Sequence, residues 1–315
     1  MHTLPLVVVG GWLGAGKTTL VNHLLRHAGG RRIAVLVNDF GDVGIDADLI
    51  ASSADASAGV LSLAGGCLCC SFGDDLVGTL AGLARREPPP DLALIELSGV
   101  ALPDAVLRTA RLCPAVQVVG TLVLADAGAV RRQAADRYVS DTVQQQLASA
   151  DWLLLNKADL VGADEARATL DWLAAQAPRA RVWAGQADQV APELVLGWPD
   201  NASPEPAPHD AAQAFGGRPI GAAGRASAIF ESVTVELPPG VDLQALGAAL
   251  ADAGSGVLRA KALAADAQGQ GRLLQVAGGR WAVTPVAAPS SGRLVMIGLR
   301  GRWDPQALRG RVGQP

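Results

Sequence analysis

The sequence predicts an α/β protein, with a mostly parallel sheet covered by helices on both faces and a small α+β domain after it. Three observations carry this expectation. Short apolar runs alternate with helix-like segments through the first 200 residues, the rhythm of strands joined by helical crossovers. From 199 to 228 the composition shifts to Pro, Ala, Gly and Ser, with Pro204, Pro206, Pro208, Gly216, Gly217 and Pro219, as in a linker. Beyond that stretch the apolar positions alternate in short segments, as in paired strands. The expected organisation is a first domain over 1–198, a linker over 199–228 and a C-terminal domain over 229–315.

Taken in order, the first strand is the apolar run at 4–9, and the second is Ile-Ala-Val-Leu-Val at 33–37. Further strands are expected at 92–97, 118–124, 152–155 and near Val182. Each is apolar at nearly every position, as a strand covered on both faces must be. The segments between them, 17–27, 74–86, 103–111, 141–150 and 164–177, are long enough for helices and mix apolar with polar residues. In the second domain a strand is expected at 229–237, a helix at 242–253, strands at 257–264, 272–276, 281–286 and 294–299, and a last helix at 305–312. Ligands of parallel sheets bind at the carboxyl ends of the strands, so the loops there hold the candidate residues.

Composition narrows the function classes. Hydrophobic residues make up 50% of the 315 and charged residues 18%, which provides a sizeable core. The net charge is −4 and there is no basic run, so nucleic acid is not an expected partner. No apolar stretch approaches a membrane span, and the start Met1-His2-Thr3-Leu4-Pro5 lacks a charged leader followed by an apolar core. A cytoplasmic protein is expected. Clustered cysteines in that reducing compartment are ligands or redox groups more often than disulfides.

Gly11-Trp12-Leu13-Gly14-Ala15-Gly16-Lys17-Thr18 satisfies G-x-x-x-x-G-K-[ST] without a mismatch, between an expected strand and an expected helix. The glycines let backbone N–H groups approach phosphate oxygens. Lys17 supplies charge to the outer phosphates, and Thr18 offers a hydroxyl to Mg²⁺. Thr19 continues the motif. This makes the first domain a P-loop NTPase. Glu96 ends the run Leu92-Ala93-Leu94-Ile95-Glu96, with Ser98-Gly99 just beyond. It either caps a turn or, as part of a nucleotide site, serves Mg²⁺ or the attacking water.

Asn156-Lys157-Ala158-Asp159 follows the strand at 152–155. The Asp159 carboxylate can accept from guanine N1–H and from the exocyclic amine, a donor pair that adenine lacks. Hydrogen bonds to a charged group contribute about 1.5–3 kcal/mol each, so losing both costs at least about a hundredfold in affinity. The Lys157 stem can lie along the base, and Asn156 can tie this loop to the phosphate loop. The reading is therefore a GTPase rather than an ATP-using kinase.

Three of the four cysteines, Cys67, Cys69 and Cys70, lie within Gly65-Gly66-Cys67-Leu68-Cys69-Cys70. Alternation places Cys67 and Cys69 on one face of an extended segment. Thiolates this close are soft ligands for a zinc-like or cobalt-like ion. A set short of four leaves a position open, as a transfer site needs. Small buried hydrophobes or a redox group are the alternatives. Asp39 and Asp42 follow the second strand and either add an oxygen ligand, order the catalytic water, or are solvated loop acids. Cys113 reads as core, and His23 and His27, four apart on a helix, as surface rather than as a metal pair.

These motifs resemble, in order and approximate spacing, the CobW-like metallochaperone GTPases, a branch of the P-loop GTPases whose relatives include UreG and HypB. The matching pieces lie at 11–19, 38–41, 65–70, 95–99, 146–151 and 156–160, with Leu258-Arg259-Ala260-Lys261 in the second domain. The resemblance implies GTP hydrolysis coupled to holding and delivering a divalent metal, zinc or cobalt. By position it implies Cys67, Cys69 and Cys70 as the metal motif, and Lys17 and Thr18 on phosphate and Mg²⁺. The site set expected is Lys17, Glu96 and Asp39 for catalysis. Gly11, Gly14, Ala15, Gly16, Lys17, Thr18, Thr19, Asn156, Lys157 and Asp159 are expected on the nucleotide. Thr18 and Glu96 join the cysteines as metal-side residues.

Expected partners are a client metalloprotein and a second copy in a nucleotide-dependent homodimer. The competing functions are a GTP-dependent redox or regulatory switch without delivery, and an activator dedicated to one metalloenzyme, as in nitrile-hydratase maturation. Four details differ from the family pattern. Ala101-Leu102-Pro103 stands where an Ala-Asp-Pro-like turn is usual. Asp39 replaces a glutamate, the linker holds only His209 instead of a histidine-rich tract, and Ala262 replaces a glycine.

Overall fold

The computed structural model describes residues 3–37, 74–197, 230–286, 289, 291–301, 303 and 304. Cys67, Cys69, Cys70, Asp39, Asp42, the stretch 199–228 and the expected helix at 305–312 lie outside the described residues. The chain divides into two compact units, Met1–Gly197 and Trp198–Pro315.

In the first unit the strands are β1 (Leu4–Gly11), β2 (Ile33–Val37), β3 (Leu92–Glu96), β4 (Val116–Asp126), β5 (Trp152–Asn156) and β6 (Arg181–Gly185). They form one sheet in the order β2-β3-β1-β4-β5-β6. Every pairing in it is parallel. β2, β3 and β5 are buried at every position, which is why they read as unbroken apolar runs. The intervening helices are α1 (Lys17–Arg26), α2 (Asp74–Ala84), α3 (Pro103–Ala110), α4 (Val130–Ala134), α5 (Ser140–Ala148), α6 (Ala163–Gln176) and α7 (Pro192–Leu196).

Apolar clusters of the described residues pack against this sheet. One joins β1, β2 and β3 to α2 and α3 through Leu6, Leu36, Ile95, Leu80 and Leu107 and includes Cys113, as expected of a core residue. Another joins β4 and β5 to α5 and α6 through Val123, Leu155, Val143, Leu147 and Leu173. Each buried leucine or valine stabilises the fold by about 1.5–3 kcal/mol. α4 and α7 are additions to the expected elements. Each has five residues, too few for a helical repeat to show, although Pro192 at the first turn of α7 is a start signal.

The second unit is a five-stranded antiparallel sheet in the order β10-β9-β8-β11-β7. Its strands are β7 (Phe230–Leu237), β8 (Val257–Ala265), β9 (Gly271–Ala277), β10 (Arg280–Pro285) and β11 (Gly292–Leu299). α8 (Leu243–Ala251) starts at Asp242, whose carboxylate accepts from Gln244 N and Ala245 N at 2.9 and 3.1 Å. Leu243 and Leu250 of α8 share a core with Ala260, Ala262, Leu274, Val276, Leu294 and Met296. Alternate positions of β8 are buried in that core, which explains the alternation seen in the sequence.

Candidate functional site

Parallel pairing aligns the carboxyl ends of five strands. Val9 pairs with Glu96, Gly11 with Leu124, Asp126 with Asn156, and Asn156 with Gly185. The loops after β1, β3, β4, β5 and β6 therefore emerge side by side, where ligands of such sheets bind.

The β1–α1 loop turns on glycines. Gly11 has φ +132°, and a Cβ there would lie 2.3 Å from Leu124 O. Gly16 has φ +101°, and its Cβ would lie 2.4 Å from Asn156 Nδ2. Both a left-handed backbone and a close neighbour require glycine at these points. A Cβ at Gly14 would meet nothing within 4 Å, so this part of the loop opens on free space. α1 begins without a side-chain cap and without an acid in its first turn. Its first N–H groups suit an anion. Lys17 is buried, and its ammonium donates to Trp12 O at 3.3 Å. The loop fits a phosphate chain.

Thr18 Oγ1 donates to Glu96 Oε1 at 2.7 Å across 78 residues of sequence. Glu96 is 3% exposed at the end of β3. A hydroxyl and a carboxylate at this spacing form a hard-oxygen pair of the kind Mg²⁺ takes. Thr19 is exposed and Ala15 buried.

On the other side, Asn156 is 5% exposed and bridges two loops. Its Nδ2 donates to Ala15 O at 2.7 Å and its Oδ1 accepts from Ala187 N at 3.0 Å. Lys157 adopts φ 60° and sends its ammonium to Gly14 O and Asp126 Oδ2, both at 2.8 Å. Asp126 Oδ1 in turn accepts from Gly128 N at 2.9 Å. Asp159 is exposed in the short turn Ala158–Leu160.

One further tie was not expected. His23 is 6% exposed, and its Nε2 donates to Val190 O at 2.9 Å, joining α1 to the loop after β6. Burial lowers its pKa below the ordinary 6.5, so the ring is held neutral. His27 Nδ1 pairs with His23 O at 2.8 Å within α1. The surface reading of His23 is thereby corrected. His23 lies on a helix face that the loop after β6 covers, a contact between segments far apart in the chain.

The structure thus gathers Gly11, Gly14, Ala15, Gly16, Lys17, Thr18, Glu96, Asn156 and Lys157 at one end of the sheet. Asp126 and Gln146 were not assigned roles from sequence. Asp126 carries the same signal as Glu96, an acid ending an apolar strand. Among the described residues no group of three or more His, Cys, Asp or Glu side chains is placed to hold a metal. No described helix is long and apolar enough to cross a membrane.

The profile of the CobW/HypB/UreG nucleotide-binding domain matches residues 5–184, and that of the cobalamin synthesis protein cobW C-terminal domain matches 230–313. The chain is 33% identical over 204 residues to the zinc chaperone CobW of a Sinorhizobium species, covering 56% of this chain and 57% of that protein. It is 33% identical over 197 residues to the zinc chaperone YjiA of Escherichia coli, covering 60% of each. The matches span between half and two thirds of these curated relatives. Among solved structures, Zn(II)-bound YjiA GTPase from E. coli aligns over 98% of both chains with a TM-score of 0.47 and 22% identity. HypB from Helicobacter pylori in complex with nickel aligns over 60% of this chain and 81% of that one, with a TM-score of 0.42 and 17% identity. With a nucleotide-binding profile over most of its first unit and the matching C-terminal profile over its second, the chain belongs to the CobW/HypB/UreG family.

Proposed function

We propose that this protein hydrolyses GTP to GDP and phosphate and uses the nucleotide state to hold and deliver a divalent metal, zinc first and cobalt second, to a client metalloprotein in the cytoplasm. The observation that carries the nucleotide half is the meeting of the P-loop, the Thr18–Glu96 pair and the Asn156–Asp159 turn at one end of the sheet. Gly14, Ala15, Gly16 and Lys17 bind the phosphates. Thr18 and Glu96 would hold Mg²⁺, which would supply positive charge beside the phosphoryl oxygens. Lys157 lies along the base, and Asp159 accepts from guanine. Asn156 keeps the two loops at a fixed separation.

The metal half rests on the Cys67, Cys69, Cys70 cluster and on relatives named as zinc chaperones. Soft thiolates favour zinc, and a set of three leaves a coordination position for a partner's ligand. In this reading the γ-phosphate assembles the cysteine segment and hydrolysis releases it, an order change of the kind phosphate drives elsewhere. Asp39 serves as an oxygen ligand or orders the attacking water.

The test is the double variant Cys67→Ala with Cys69→Ala in the full chain, measured by isothermal calorimetry with Zn²⁺ and separately with GTP. Loss of tight zinc binding with GTP binding retained is expected. Zinc affinity equal to that of the unaltered chain would overturn the assignment. ATP that competes as well as GTP would overturn the base assignment.

A further inference from the structure

Gln146, in α5, is 1% exposed. Its Nε2 donates to Gly99 O at 3.0 Å and to Ala101 O at 2.9 Å. Both partners are carbonyls that can only accept, so both amide hydrogens are committed and the amide's orientation is fixed. The two carbonyls belong to the turn at 98–101, which begins two residues after Glu96 and is closed by Ala101 N donating to Ser98 O at 3.0 Å.

That turn also touches the P-loop. A Cβ on Gly99 would lie 2.5 Å from the Leu13 side chain and 2.7 Å from Leu13 N. Leu97 N, just before the turn, donates to Val9 O of β1 at 2.9 Å. One buried carboxamide therefore clamps a short segment that follows Glu96 in the chain and packs against Leu13 of the phosphate loop. Moving the turn would strand a buried amide, a penalty that favours the clamped position.

We propose that Gln146 is a positioning residue for GTP hydrolysis, holding the 98–101 turn against the P-loop so that Glu96 and the Gly99 segment keep one geometry during turnover. This rests on the GTPase reading above. Both hydrogen bonds of Gln146 go to the 98–101 turn, so its loss should act on turnover and leave nucleotide binding in place.

The experiment compares Gln146→Glu and Gln146→Met with the unaltered full chain. Met keeps the volume and removes the donors. Glu keeps the shape but faces two carbonyls with acceptors until it is protonated. Expected for both is a kcat for GTP lower by about ten- to a hundredfold with KM within about threefold, since each lost hydrogen bond to a positioned group is felt mainly in the step it positions. For Gln146→Glu the ratio of variant to wild-type kcat should rise as pH falls from 8 to 5.5, because the protonated acid regains one donor.

A kcat within twofold of wild type in both variants, or a ratio independent of pH, would overturn the proposal. So would a fall in kcat matched by an equal rise in KM. Hydrogen exchange of amides 97–102 in wild type and Gln146→Met reads the clamp without turnover. Exchange at least tenfold faster in the variant is expected, and equal exchange overturns the clamp. Absence of turnover in the wild type alongside faster exchange in the variant would instead refute the GTPase reading and leave the clamp standing.

Discussion

Replacing Asn156 by alanine tests whether one side chain sets the spacing of the nucleotide loops. The carboxamide satisfies Ala15 O at 2.7 Å and Ala187 N at 3.0 Å, and both of those residues are buried. Truncation leaves one buried acceptor and one buried donor unpaired, each worth about 1–3 kcal/mol. Water entering the vacated space recovers part of this, so a loss of about 2–4 kcal/mol is expected. For a unit of this size each kcal/mol shifts Tm by about 2–4 °C, giving a fall of roughly 4–16 °C.

The assay is thermal and urea unfolding of the full chain without nucleotide, following the transition of the first unit, together with GTP affinity by calorimetry. Asn156→Asp supplies a control of equal shape. It keeps the acceptor for Ala187 N but sets a carboxylate against Ala15 O, so its deficit should shrink on acidification as the acid gains a donor. A loss below about 0.5 kcal/mol in Asn156→Ala would show that the bridge does not fix the loops, because even one unpaired buried group exceeds that value.

Three other perturbations test separate links. His23 is neutral in the fold with a pKa below 6.5 because burial disfavours its charged form, whereas the unfolded chain binds the proton more readily. Stability is therefore full above about pH 6.5 and is lost as pH falls below it toward the folded value. Urea midpoints between pH 7.5 and 5 should show this slope in wild type and a flatter one in His23→Gln; equal slopes would contradict it. Gly11→Ala forces a side chain to within 2.3 Å of Leu124 O at φ +132°, so a loss of about 3 kcal/mol or more is expected by urea unfolding, and a neutral result would contradict the close approach. Asp126→Asn removes the carboxylate paired with Lys157 at 2.8 Å. Because the pair is partly exposed, stability should change by less than about 1 kcal/mol while GTP affinity falls about three- to tenfold, and unchanged affinity would contradict a role for Asp126 in orienting Lys157.

The first domain was legible where its physics is local. The G-x-x-x-x-G-K-[ST] run specifies its own turn, and strands buried on both faces show themselves as apolar runs, so β2 and α1 begin where the sequence places them. Glu96 is legible because a phosphate loop calls for an acid at the end of a later strand, and it ends the apolar run that begins at Leu92. Asp126 carries the same mark, but its value depends on the β4–β5 register that sets it beside Asn156, and register between distant strands is not written in either one. Gln146 was recognisable only as part of a resemblance. A polar residue on a helix reads as solvent-facing, and only the fold shows that it points inward to two carbonyls. His23 was misread for the same reason, since the loop that covers it lies 167 residues away.

The claim on which the functional account depends is that GTP and the metal are thermodynamically linked. Zinc affinity of the full chain, measured by competition with a chromogenic chelator in Mg²⁺ with a non-hydrolysable GTP analogue and again with GDP, tests it directly. Binding at least tenfold tighter in the triphosphate state is expected, a coupling of about 1.4 kcal/mol or more. Equal affinity in the two states, or no zinc bound in either, would contradict the account.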